Sequence, residues 1–280
     1  MLSLRFWFSS FETHNSLSCS SRCLLFLTPS LSNSSRNRNL GCFSVNPIKQ
    51  NGVFSVSSNR FQSSSSSSSI PKDSPFSGLE DAFVSYLFGK KRATDVAHMV
   101  WKQVVQKGDT VIDATCGNGF DTLAMLNLVA DDSHNGYVYA LDIQKDALNN
   151  TSLLLEESIN ADKKQLVKLF NTCHSKMEEI VPRNALVRLV AFNLGYLPGS
   201  DKEIITRSET TLLALEAAER ILLPRGLISI VVYVGHPGGR EELEAVETFA
   251  ARLSVETWIC CKLQMLNRPS APIPIFLFRR

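Results

Sequence analysis

After residue 77 the hydrophobic positions change period several times, and the changes predict a regular alternation of helices and strands. Ser77-Gly78-Leu79-Glu80 has the spacing of a helix capping box and opens an apolar stripe through Phe83, Tyr86 and Leu87. A second stripe, Val96, Val100 and Val104, predicts a helix over 93–105, and Thr110-Val111-Ile112-Asp113 reads as a short buried strand. Beyond it the pattern predicts helices near 120–130, 145–159, 175–181, 204–223 and 239–252, with strands at 137–142, 166–170, 186–193, 227–234, 254–261 and 272–278. Strands alternating with helices define an α/β doubly wound sheet with helices on both faces. Leu186 to Phe192 and Leu227 to Val234 are nearly continuous apolar runs, as expected of central parallel strands. No helix separates the last two strands. They read as a closing antiparallel pair, with Pro269, Pro272 and Pro274 confined to its loop and edge.

Composition separates this body from what precedes it. Residues 1–77 contain 24 Ser, with seven Lys/Arg against two Asp/Glu, a combination too polar to bury a core. A Ser-rich, Arg-bearing, acid-poor leader is the composition of an organelle transit peptide, for a chloroplast or, as the alternative, a mitochondrion. The expected organisation is therefore a disordered leader and linker over 1–77 and one folded domain over 78–280. That domain holds 22 basic and 25 acidic residues, so any contact with RNA must come from a local patch and not from a uniformly basic coat. The seven Cys show no CxxC pair, which indicates neither a disulfide framework nor a zinc site, and no metal is expected. No run reaches the roughly 18 apolar residues needed to cross a bilayer, so no membrane partner is expected.

The residues Asp113-Ala114-Thr115-Cys116-Gly117-Asn118-Gly119-Phe120-Asp121 fall where the first strand meets the first crossover helix, the ligand crevice of doubly wound sheets. Gly117 and Gly119 allow a sharp turn and a close backbone approach to a ligand. A dinucleotide site would place a third glycine where Thr122 stands and would offer a helix N-terminus to pyrophosphate. Here the turn carries the carboxylates Asp113 and Asp121 instead. Acidic flanks disfavour a diphosphate and suit S-adenosylmethionine, which brings a sulfonium and an ammonium. Thr115, Asn118 and Thr122 complete the donor candidates on this turn. Asp142 closes the second strand 25 residues beyond Gly117, placed to accept both ribose hydroxyls, although an acid at this spacing serves NAD equally well. Gln144 can reach the ribose or adenine edge, and His174-Ser175 follow the third strand where such folds meet adenine.

The fourth strand ends in Phe192-Asn193-Leu194-Gly195-Tyr196-Leu197-Pro198-Gly199-Ser200-Asp201-Lys202. Asn193 and Tyr196 have the spacing of the Asn/Asp-Pro-Pro-Tyr motif of methyltransferases that act on exocyclic amines. There a side-chain oxygen and a backbone carbonyl accept hydrogen bonds from the nucleophilic nitrogen while the ring stacks on the base. Asn193, the Leu194 carbonyl and Tyr196 are the corresponding candidates. In-line transfer from a sulfonium demands mainly that nitrogen and methyl carbon be held close and collinear. An aliphatic amine must first lose a proton, to Asp201, His236 or solvent. Seven strands ending in an antiparallel pair match the layout of Rossmann-like class I methyltransferases.

Together, the blocks at 113–123, 140–144, 192–202 and 231–239 resemble the YtqB/MnmM family in order and spacing. These S-adenosylmethionine-dependent enzymes, once described as rRNA methylases, methylate 5-aminomethyl-2-thiouridine at the tRNA wobble position. The resemblance implies a wobble uridine in the anticodon loop of an organellar tRNA as substrate. Cys116 in the glycine turn and the long leader depart from the pattern. Lys90-Lys91-Arg92, Lys202, Arg207, His236, Arg240 and Arg268 fall on loops that can form the required basic patch, and the glycines around His236 can admit a splayed base. The first two helices and the terminal strand pair are the candidate surfaces for a homodimer. Competing readings are an rRNA or small-molecule methyltransferase, a non-catalytic RNA-binding protein with a retained cofactor pocket, and a dinucleotide oxidoreductase.

Overall fold

The computed structural model describes residues 79–131, 135–182, 185–199 and 202–280. The leader, the Ser77-Gly78 cap and Asp201 lie outside the described residues. Seven strands form one sheet: β1 (Thr110–Asp113), β2 (Tyr137–Asp142), β3 (Val167–Asn171), β4 (Val187–Leu194), β5 (Leu222–Val232), β6 (Trp258–Lys262) and β7 (Ile273–Arg279), in the order β3-β2-β1-β4-β5-β7-β6. The first five in that order run parallel, and β7 lies antiparallel to both β5 and β6. The sheet is thus the expected mostly parallel one with an antiparallel C-terminal pair.

Helices cover both faces: α1 (Leu79–Leu87), α2 (Ala93–Val104), α3 (Phe120–Val129), α4 (Lys145–Ser158), the single turns α5 (Ala161–Lys164) and α6 (Met177–Ile180), α7 (Ser208–Ile221) and α8 (Gly239–Arg252). One apolar cluster joins Ile112, Val190 and Phe192 to Leu215, Val246 and Phe249 of α7 and α8. The other joins Val111, Leu189 and Val231 to Val96, Trp101, Met125 and Leu126 of α2 and α3. Alternate residues of β4 feed alternate clusters from Leu189 onward, as the two-residue period of a strand dictates. A register shift between Val187 and Leu189 breaks that alternation at the strand's start.

β5 begins at Leu222 and not at the expected 227, and two further element starts and the place of one proline differ from expectation for local reasons. The helix expected from residue 204 starts at Ser208, because Ile205 is drawn into a bridge with Tyr196 and Thr206 donates to the Gly195 carbonyl at 2.8 Å. The strand expected from residue 254 begins at Trp258, since the N–H groups of Thr257 and Trp258 both turn back to the Ser254 carbonyl. Pro274 sits in neither loop nor edge but inside β7, an interior strand. Its carbonyl accepts from Leu263 just past the end of β6, so its missing N–H falls where no ladder partner is needed.

Candidate active site

Between β1 and β4 the strand order reverses, and outside the carboxyl ends of these strands lies a cleft of about 1070 Å³. Its floor is the glycine turn. Gly117 has φ +51, and its N–H donates to Asp142 Oδ2 at 3.1 Å, while the Gln144 N–H donates to Oδ1 at 2.9 Å. The carboxylate therefore clasps the ends of both loops while still lining the cleft. Burial raises the Asp142 pKa, and the backbone donors counter it by favouring the ionised form. Gly119, at φ +85, admits nothing larger, because a Cβ there would stand 2.9 Å from Thr151 Cα. The Thr151 hydroxyl also donates to the Gly117 carbonyl at 3.0 Å. Cys116 is buried and its thiol is pushed up by desolvation, so it acts as an inert packing group.

Asp113 does not face the cleft. It is 1% exposed, accepts from the Thr122 hydroxyl at 2.6 Å and from the Thr115 N–H at 3.3 Å, and so fastens the first turn of α3 to β1. Burial, and then the charge of Asp121, push its pKa up to about 7. A carboxyl whose pKa is higher folded than unfolded stabilises the fold below its unfolded value of 3.8, and that contribution is lost as pH rises through about 7. Asp113→Asn keeps an acceptor for Thr122 and removes the charge. Its melting temperature relative to the wild type should therefore climb between about pH 4 and about pH 8. Thermal unfolding across that range checks this, and a constant difference would contradict it.

The opposite wall is built on Asn193 at the end of β4. Its backbone N–H donates to Thr115 Oγ1 at 2.7 Å, and its side-chain Nδ2 donates to Asp121 Oδ2. Its Oδ1 is buried and has no hydrogen-bond partner among the described residues. The other oxygen of Asp121 meets His98 Nε2, from α2, at 2.6 Å. Tyr196 lines the cleft 40% exposed, with Lys202 Nζ 5.8 Å from its ring centroid and the His236 ring edge-on at 6.2 Å. The chain after Tyr196 is tied down by Glu242 of α8, which is fully buried and accepts from Thr206 at 2.8 Å and Thr211 at 2.6 Å.

Of the residues singled out from sequence, Thr115, Gly117, Asn118, Asp121, Asp142, Gln144, His174, Asn193 and Tyr196 line this one cleft, as do Lys91, Arg92 and Arg268 of the expected basic patch. His174 is 6% exposed, bonded to Thr210 Oγ1 at 3.3 Å, and held neutral by desolvation with a pKa of about 4. It can shape or hydrogen-bond an adenine edge but brings no charge. Gly119 and Thr122 support the turn from beneath, like Asp113.

Others stand apart. Ser175 turns its hydroxyl to Cys173 Sγ at 3.1 Å and does not line the cleft. Leu194 is fully buried, and its carbonyl accepts the Tyr233 N–H at 3.1 Å, so strand geometry aims it at β5 and not at an incoming amine. Lys202 and Arg240 are exposed outside the cleft. His236 is half-buried behind Tyr196, its Nδ1 bonded to the Pro237 carbonyl at 2.7 Å. Sequence reasoning passed over His98, Tyr86 and Tyr233, which also line the cleft. His98 lies on the polar edge of the α2 stripe, and no local pattern marks it.

A seven-stranded sheet with β7 inserted antiparallel, a glycine turn under a strand-end carboxylate, and an Asn-x-x-Tyr segment across from it define a Rossmann-like methyltransferase. A family described as "Putative rRNA methylase" matches residues 138–279, and the chain belongs to it. A protein of Arabidopsis thaliana named "tRNA (mnm(5)s(2)U34)-methyltransferase, chloroplastic" is 67% identical over 218 residues, 77% of this chain and 80% of its own length. Two solved structures are also similar. A Clostridium thermocellum protein described as a "putative rRNA-methylase" is 36% identical, with a TM-score of 0.63, over 68% of this chain and 98% of its own. A Streptococcus mutans "putative methyltransferase" in complex with SAH is 31% identical, with a TM-score of 0.58, over 68% and 99%.

Proposed function

We propose that the protein is an S-adenosylmethionine-dependent tRNA methyltransferase that converts the 5-aminomethyl group of a (2-thio)uridine at the wobble position of chloroplast tRNA to methylaminomethyl. The observation that carries this reading is the pairing of Asn193 and Tyr196 with a donor turn in one cleft, in a chain 67% identical to a chloroplastic mnm5s2U34 methyltransferase. The Streptococcus mutans relative in complex with SAH supports the choice of donor.

The residues present fit that donor. Asp142 offers carboxylate oxygens to a ribose diol, Gly117 leaves the floor bare where a Cβ would come 3.3 Å from Leu197 Cδ1, and His174 closes the adenine end without charge. S-adenosylmethionine supplies a methyl group on a cationic sulfur. The chain's own part is to hold the acceptor nitrogen: the unpartnered Asn193 Oδ1 accepts an amine N–H, and the Tyr196 ring stacks on the uracil. Lys91, Arg92 and Arg268 at the rim suit the phosphates of an anticodon loop.

Residues 78–280 are then the catalytic domain, and 1–77 the leader that directs it to the chloroplast. A homodimer through α1 and α2, or through β6 and β7, belongs to the same proposal, and sedimentation of the full chain tests it. The functional test is transfer from labelled S-adenosylmethionine to tRNA carrying 5-aminomethyl-2-thiouridine, followed by nucleoside mass spectrometry. Label in methylaminomethyl-uridine is the expected result. Label confined to rRNA would favour the competing reading that the family description suggests, and no label in any RNA would overturn both.

A further inference from the structure

We propose that His98 is the base that takes the proton from the substrate amine, and that Asp121 is the positioning residue that aims His98 and Asn193 together. The inference rests on the functional reading above and supplies its missing proton acceptor. An aliphatic amine near neutral pH is an ammonium with no free electron pair. It gives one proton to the base. Its lone pair then forms the N–C bond as the S–C bond breaks, with that electron pair remaining on sulfur. The secondary amine keeps its second proton as an ammonium, so one proton leaves per turnover.

Asp121 is 8% exposed and accepts from donors on two different elements, His98 Nε2 of α2 at 2.6 Å and Asn193 Nδ2 of β4. An ionised carboxylate selects the tautomer with the proton on Nε2, because a bare Nε2 would set lone pair against lone pair. The basic lone pair is then on Nδ1, for which the described residues provide no hydrogen-bond partner. The same carboxylate settles the Asn193 amide: nitrogen faces Asp121, and Oδ1 is left as the unpartnered acceptor. One charge thus orients both the group that receives the proton and the group that holds the amine. This is the division of labour of a triad aspartate, which aims its imidazole and does not itself take up the proton.

The remaining surroundings agree. Trp101 packs on the His98 ring at 4.6 Å between centroids. The titratable groups facing the pair are Asp113 beneath, Tyr233 after β5, Tyr86 of α1, and Arg92 paired to Asp95 at 3.1 Å at the start of α2. His236, the other imidazole considered for the base, bonds Pro237 O through Nδ1, and its bare Nε2 is buried behind Tyr196, outside the cleft lining, where a substrate amine does not reach it.

The test is the pH profile of single-turnover methylation by the full-length His98→Gln protein, whose amide can still donate to Asp121 but does not titrate near neutrality. Its transfer rate should fall roughly 10²-fold at about pH 7, and the loss should shrink steadily toward about pH 9, where solvent supplies free amine. Affinity for S-adenosylmethionine should stay within about threefold of wild type, since His98 belongs to the acceptor side. His98→Asn provides a second variant with the same expected profile. A loss of the same size at every pH, or no loss, would overturn the assignment while leaving the functional reading intact. A wild-type protein inactive on aminomethyl-uridine tRNA would overturn the functional reading itself, and this inference with it.

Discussion

Asn193→Ala should reduce the methyl-transfer rate by about 10²–10³-fold while leaving donor affinity nearly unchanged. Its buried side-chain oxygen has no partner among the described residues, so an acceptor is held in place before substrate arrives. Its backbone N–H, bonded to Thr115, is untouched by the substitution, so the end of β4 keeps its register with the donor turn. Asn193→Asp separates the shape of the side chain from its charge. It is nearly isosteric but sets a second carboxylate against Asp121 where an N–H now donates, so it should be as damaging as the truncation. Single-turnover rates with calorimetry of donor binding separate the two effects. An Asn193→Ala protein that turned over within about threefold of wild type would remove Asn193 from the chemistry.

The second large effect is expected at Asp142. Asp142→Ala should weaken donor binding by roughly 10²-fold, the equivalent of about 3 kcal/mol from hydrogen bonds to a charged group. Part of that loss is indirect, because the same carboxylate accepts the N–H groups of Gly117 and Gln144 and so sets the shape of the turn. Asp142→Asn retains one acceptor oxygen and should fall between the two. Calorimetry with S-adenosylmethionine and with its demethylated product measures both variants. An Asp142→Ala affinity equal to wild type would place the donor elsewhere.

The role of Asp142 follows from a count of residues: a glycine turn, a helix and a strand place the acid beside the turn in any fold of this class, and Gly117 N to Asp142 Oδ2 at 3.1 Å realises that count. Asn193 and Tyr196 were readable for the same reason, since the end of a central apolar strand fixes where the next residues emerge. Leu194 shows the limit of such reading. Residues one apart on a strand point their carbonyls to opposite neighbours, and only the pairing of β4 with β5 shows that this one is taken by Tyr233.

Apolar period and turn residues alone determined the alternation of helices and strands, the central position of β4 and β5, and the carboxylate-flanked glycine bend. Each of these is a property of contiguous residues, and burial of one face is what the chain's own pattern dictates. Tertiary structure decided the rest: that β7 slides between β5 and β6, that Asp113 sinks beneath the bend, and that Asp121 joins His98 to Asn193. His98 stands 23 residues before Asp121, and Asn193 stands 72 after it. Contacts at such separations arise when helices dock on the sheet, so no local periodicity records them.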